Sequence, residues 1–224
     1  MAEQGTGRRG EIVEAMLDMA GEQGVDRVTT RALARRLGVT EPALYRHFPG
    51  GKADMWRALA ATVGERMQAG WDRALAVSGG AVERLGALVR AQLHIVATTP
   101  ALPGILFSRT LHRDNADLRA GVSEVGARFH ALVEQVLAEG RHSGELRPGI
   151  DARDAAWLLI SVIQGTAIRW SLSGHAFDLE TEGGRVLDTA LAGLVPAGAG
   201  STDNLGTAGR SPGRSAECEH PSSP

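Results

Sequence analysis

The chain has 224 residues, 43 % of them hydrophobic, and a formal net charge of −2. That length buries a sizeable core, either as one large domain or as a small one joined to a medium one. The weakly acidic whole excludes a protein that coats nucleic acid by bulk charge, so any surface for phosphates must be local.

Helical spacing recurs along the chain and almost nothing alternates with period two. Ile12, Val13, Met16, Leu17, Met19 and Ala20 form an apolar stripe that runs out at Gly21 and Gly24, predicting a first helix over about 8–22. Thr29 or Thr30 caps a second, short helix carrying Leu33 and Leu37, which stops at Gly38, a residue suited to a left-handed helix end. Thr40 caps a third. Pro42 is tolerated in its first turn, where a missing N–H has no intrahelical partner, and Pro49-Gly50-Gly51 ends it. A longer helix is predicted from Lys52 to about 77, broken by Gly79-Gly80, then another over about 81–98. Pro100 and Pro103 predict a short irregular region holding Ile105, Leu106 and Phe107.

Leu118, Val122, Val125, Phe129, Leu132 and Val136 recur at alternating steps of four and three, a heptad-like seam on a helix of about 115–140. From Asp151 to about 174 the chain is apolar nearly all round, and a helix without a polar face must be buried on all sides. Val186, Leu187, Leu191 and Leu194 mark a weaker last helix. Residues 196–224 are rich in Gly, Ser and Pro with almost no apolar content, so disorder is expected there. The sole cysteine, Cys218, falls in that tail and excludes an intrachain disulfide framework or a cysteine-based zinc cluster.

The layout from Val28 to Lys52 is that of a helix-turn-helix: a short helix, a tight turn at Gly38 and a second short helix with a polar exposed face. Between residues 27 and 57, seven basic side chains (Arg27, Arg31, Arg35, Arg36, Arg46, Lys52, Arg57) face two acidic ones (Glu41, Asp54), a local excess of +5. The only lysine, Lys52, and the only tyrosine, Tyr45, lie in this stretch.

Gly10 to Trp56 resembles the N-terminal domain of the TetR/AcrR family of regulators. The likeness is densest in Thr29-Thr30-Arg31-Ala32-Leu33-Ala34 and in Gly38-Val39-Thr40-Glu41-Pro42-Ala43-Leu44-Tyr45-Arg46-His47-Phe48. It implies an all-α fold: a three-helix helix-turn-helix domain for DNA over 1–52, then a helical domain for effector binding and dimerisation over 53–195. It also implies roles. Thr29 and Thr30 would bind a phosphate oxygen at a helix start. Tyr45, His47 and Lys52 would meet the backbone. Thr40, Glu41, Pro42, Ala43 and Arg46 would face base edges in the major groove. Leu33, Leu37, Leu44 and Phe48 read as core. Arg8 and Arg9 either reach phosphates or the minor groove or fray. One departure stands out: three residues separate Phe48 from Lys52 where the family has two, and this bears on where Lys52 ends up.

The resemblance extends to the C-terminal half as architecture. The seam of 115–140 and the apolar helix of 151–174 would pair with their twins in a four-helix bundle. The resulting homodimer would hold two recognition helices about 34 Å apart on a near-palindromic double-stranded operator. Met67, Trp71, Leu93, Phe107, Phe129 and Gln164 would line a pocket for a small, hydrophobic effector, with Arg90, His94, Arg109 and His112 as further polar groups. Neither metal nor cofactor is expected: His94, His112, His130 and His142 lack i, i+4 pairing, and there is no Gly-x-Ser-x-Gly or phosphate-binding glycine loop. Catalysis is therefore not expected. Charged residues interrupt the apolar stretches and the N-terminus is polar, so a cytoplasmic protein with no membrane partner is expected. The function expected is a ligand-released repressor; the alternative is an effector-independent, nucleoid-associated DNA-binding protein of the same fold.

Overall fold

The computed structural model describes residues 2–196, with side chains described from residue 7 onward, and among them the regular structure is entirely helical. The tail expected to be disordered lies, beyond residue 196, outside the described residues. α1 (Ala2–Gln23), α2 (Thr30–Leu37) and α3 (Glu41–His47) pack against the start of α4 (Gly51–Leu75). Their core is Ile12, Met16, Met19, Leu33, Leu44 and Phe48, and it draws in Met55, Trp56 and Leu59 from α4. The boundary expected at residue 52 thus falls in the first turn of a continuous helix whose next two turns belong to the N-terminal core.

α4 then passes into the larger unit with α5 (Ala81–Thr98), α6 (Ala101–Phe107), α7 (Arg109–Asp114), α8 (Ala116–Ser143), α9 (Ala152–Leu172) and α10 (Leu179–Ala192). Its core is built on Leu85, Leu88, Val89, Val133, Val136, Leu137, Ala156, Leu159 and Leu187. Polar ties fasten head to body. Arg57 of α4 donates to Asp117 at 3.0 Å, and Arg66 of α4 pairs with Glu14 of α1.

Three expectations are corrected. The stretch after Pro100 is helical rather than irregular, because Pro100 is the N-cap of α6 and Pro103 its third residue, where the first N–H groups have no partner to lose. The seam of α8, expected to serve the pairing with its twin, is largely covered within the single chain. Leu118, Phe129 and Val136 are buried, and α8 lies against α4, α5 and α9 of its own chain. Nor is α9 covered on all sides: Trp157, Leu158 and Leu172 are 56 %, 48 % and 83 % exposed, with Val186 of α10 at 45 %. By length and composition α9 alone would pass for a membrane span, yet it packs between α8 and α10.

The start of α5 is closed by a carboxylate from a distant loop. Glu145 accepts from the Val82 N–H at 3.3 Å, and Gly80 makes room for it, since a Cβ there would meet the carboxylate. Hydrogen bonds from the backbone at Ala81, then from Ser143 and Val82, hold Glu145 below its ordinary value of 4.5. A depressed carboxylate contributes stability above its unfolded pKa and loses it as pH falls through the folded value. Urea midpoints should therefore fall more steeply below about pH 4.5 in the wild-type protein than in Glu145→Gln, which starts lower and varies less with pH.

Candidate nucleic-acid interface and cavity

The helix-turn-helix is shaped by local caps. The Thr29 hydroxyl accepts from the Ala32 N–H at 3.1 Å, and Gly38 ends α2 in the left-handed region with φ 66°. The first-turn N–H groups of Thr30 and Arg31 remain without helical partners, as helix geometry requires. Thr40 caps α3 through its backbone alone, with Pro42 in the first turn.

The candidate DNA face is exposed. Thr29, Thr40, Pro42, Arg46 and Lys52 are open to solvent, Thr30, Glu41, Ala43 and His47 are half-buried, and the Tyr45 side chain is 43 % exposed. Glu41 is not a free reader. Its Oε2 accepts from the Thr30 hydroxyl at 2.7 Å, linking α2 to the first turn of α3. Arg9 is likewise engaged: its guanidinium stacks 4.1 Å from the Phe48 ring centroid and donates to the His47 carbonyl, which fixes the end of α3. Arg8 pairs with Glu11 on its own helix.

The basic patch divides in two. Arg36 donates to both Glu22 oxygens at 2.7 and 2.8 Å, and this raises its own pKa while lowering that of Glu22. Arg57 is tied to Asp117 and Asp54. Arg27, Arg31, Arg35, Arg46 and Lys52 are exposed and pair with no carboxylate among the described residues. The extra glycine resolves into a turn. The Gly51 N–H donates to the Phe48 carbonyl at 2.8 Å, and Gly51 adopts φ 67°. A Cβ on Gly51 would lie 3.3 Å from the Tyr45 ring. The added residue is absorbed where only glycine fits easily, and Lys52 emerges on the exposed first turn of α4.

The Thr30–Glu41 bond makes a distinct prediction for DNA affinity. If Glu41 sets the pose of α3, Glu41→Ala and Thr30→Val should each weaken binding by a factor of about 3 to 10 on every sequence alike, with a non-additive double variant. Glu41→Gln, which keeps an acceptor for Thr30, should restore most of it. A change of base preference at one operator position in Glu41→Gln would instead make Glu41 a reader.

Beneath α4 lies a cavity of about 860 Å³, walled by α4, α5, α6, α8 and α9. Met67, Trp71, Phe107, Phe129 and Gln164, which the family resemblance implied as pocket lining, lie on its wall. Leu93 does not, and is corrected: it packs on Gly183 of α10, where a Cβ would come within 2.8 Å of it. The same face of α5 sends Arg90 to Asp188 and His94 to Glu180, both at 3.0 Å, on α10. His112 contacts the Leu106 carbonyl at 3.0 Å and, like Arg109, is not on the wall. Sequence reading missed Gln92, His130, Glu134, Arg153 and Trp157, which are. Gln92 had a signal: it occupies a core position in the series Leu85, Leu88, Gln92, Val96 at helical spacing.

Residues 12–59 match the model of bacterial regulatory proteins of the tetR family, and residues 81–196 that of the BetI-type transcriptional repressor C-terminal domain. The chain belongs to the tetR family. A nucleoid occlusion factor SlmA of Aliivibrio fischeri is 31 % identical over 172 residues, covering 76 % of this chain and 87 % of the relative. Among solved structures, Bacillus subtilis FadR in complex with stearoyl-CoA superposes with a TM-score of 0.68 at 23 % identity, covering 82 % of this chain and 97 % of that one. A putative regulator from Saccharomonospora viridis in complex with choline gives 0.70 at 23 %, covering 85 % and 99 %. This tetR-family member is a DNA-binding transcriptional regulator with an all-α fold.

Proposed function

We propose that this regulator is a repressor that grips a near-palindromic operator as a homodimer and is released by a small, predominantly hydrophobic molecule. The observation that carries the reading is the sharing of α4. Leu59 belongs to the N-terminal core and also lines the cavity, one helical turn from Val63 on the same wall. An occupant that displaces α4 therefore acts on the helix that anchors the DNA head and carries Lys52.

In this reading Thr29 and the first turn of α2, with Tyr45, His47 and Lys52, hold phosphates. Thr40, Pro42, Ala43 and Arg46 face the bases, and Thr30 with Glu41 sets the pose of α3. The exposed stripe of Trp157, Leu158 and Leu172 on α9, with the half-buried Ile168 and with Val186 of α10, is the dimer face. Regulation of DNA also puts the protein in the cytoplasm, without a membrane partner.

The likeness to SlmA supports a second reading, a nucleoid-associated protein that binds scattered sites without an effector; the cavity favours the first. Footprinting across the genome decides between them, paired with a thermal-shift screen of apolar compounds. One or a few promoters, and compounds that both stabilise the protein and lower its operator affinity, are expected. Dispersed sites with no stabilising compound would establish the second reading.

A further inference from the structure

Gln92 is the one buried polar side chain among the described residues, 8 % exposed, and it lies on the cavity wall. Its orientation is decided by its neighbour. The Trp71 indole N–H donates to Gln92 Oε1 at 2.8 Å, and an indole N–H is a donor only. Turning the carboxamide over would set donor against donor. The indole itself is fixed, 1 % exposed and stacked on Phe129 with ring centroids 4.9 Å apart. The amide nitrogen, with two N–H groups, therefore points away from Trp71, and among the described residues it meets no acceptor.

We infer that the cavity takes a predominantly apolar molecule bearing an acceptor oxygen of the carbonyl type, recognised by the Gln92 carboxamide, and discriminates against amines and quaternary ammonium compounds. This rests on the effector reading above and narrows it. A bound ligand without an acceptor would desolvate the two amide N–H groups and leave them unpaired, and sites built to hydrogen-bond reject analogues that cannot. A cation meets the positive end of the amide dipole. On the wall, Glu134 lies 3.5 Å from His130 Nε2, an ion pair only when the imidazole is protonated, and the Arg153 guanidinium, which would repel a cation, pairs with no carboxylate among the described residues.

The test uses three probes of one ring size on the full-length protein: cyclododecanone, cyclododecane and cyclododecylamine, titrated by calorimetry. The wild-type protein should bind the ketone at least about tenfold more tightly than the other two. Gln92→Leu should bring the ketone-to-hydrocarbon ratio close to one. The double variant Trp71→Phe/Gln92→Leu should do the same without stranding the indole N–H, and it serves if the single variant folds poorly. Equal binding of ketone and hydrocarbon, tighter binding of the amine, or a preference that survives both variants would overturn the assignment. If ketone and hydrocarbon bind equally and both release DNA, the effector reading stands and only the role of Gln92 falls. Binding of none of the three to a folded protein removes both.

Discussion

A chain carrying Leu158→Asp and Leu172→Asp should sediment as a monomer and bind its operator about a hundred to ten thousand times more weakly, the loss expected when two linked half-site contacts become independent. Trp157, Leu158, Leu172 and Val186 are each at least 45 % exposed, and together they make an apolar face of a kind that marks an interaction surface. Burying each side chain in full is worth about 1.5–3 kcal/mol, and a two-fold interface counts every contact twice. An aspartate there meets little but apolar surface and must be desolvated without a partner, which is strongly unfavourable. Because both positions are exposed in the single chain, the melting of the monomer should be nearly unchanged. A variant that remains dimeric with full operator affinity would show that the two-fold face lies elsewhere.

That face also shows how far the sequence could be read. Both long helices were visible, α8 from its heptad-like steps and α9 from its unbroken apolar content. A heptad seam, however, says only that one stripe is apolar, not whose side chains cover it. The stripe through Leu118, Phe129 and Val136 is covered by the chain itself. For α9, apolar character nearly all round implied burial all round. The single chain buries Ala155, Ala156, Leu159, Ile160 and Ile163 and leaves Trp157, Leu158 and Leu172 bare, because apolar content does not say which side the chain's other helices cover.

The turn and helix ends of the helix-turn-helix were legible, since caps and turns are local chemistry. Thr29 accepts from its own helix and Gly38 takes the left-handed end, as their types demand. What local pattern cannot give is pairing between elements. That Thr30 holds Glu41, that Arg36 is tied to Glu22, and that Arg9 lies on Phe48 all depend on helix crossings. The result narrows a seven-residue basic patch to five cations that pair with no carboxylate among the described residues. The cavity shows the same limit: Leu93 and Gln92 are adjacent in sequence, and only the crossing of α5 over α10 sends the first away from the cavity.

Phe48→Ala should abolish operator binding while leaving the body of the protein folded. Phe48 is completely buried, and truncating a core Phe removes about 3–5 kcal/mol. A small core rarely supplies more than about that much in total, so the head should lie near or beyond its unfolding point. Phe48 is also the C-cap of α3, its N–H bonded to the Leu44 carbonyl at 3.0 Å, and the floor under the Arg9 guanidinium. Its loss removes the ring on which Arg9 of α1 rests, while the backbone bond to Leu44 remains. Most buried side chains of the body form a separate cluster, whereas Ala101, Ile105, Leu111 and Leu118 share the cluster of Phe48, so hydrogen exchange should accelerate in α1–α3, the first turns of α4 and α6–α7 while α9, α10 and the later turns of α8 keep their protection. Phe48→Leu, which refills most of the volume, should recover part of the affinity. Wild-type protection in α1–α3 alongside lost DNA binding would mean that the side chain acts on DNA rather than on the fold, contrary to its burial.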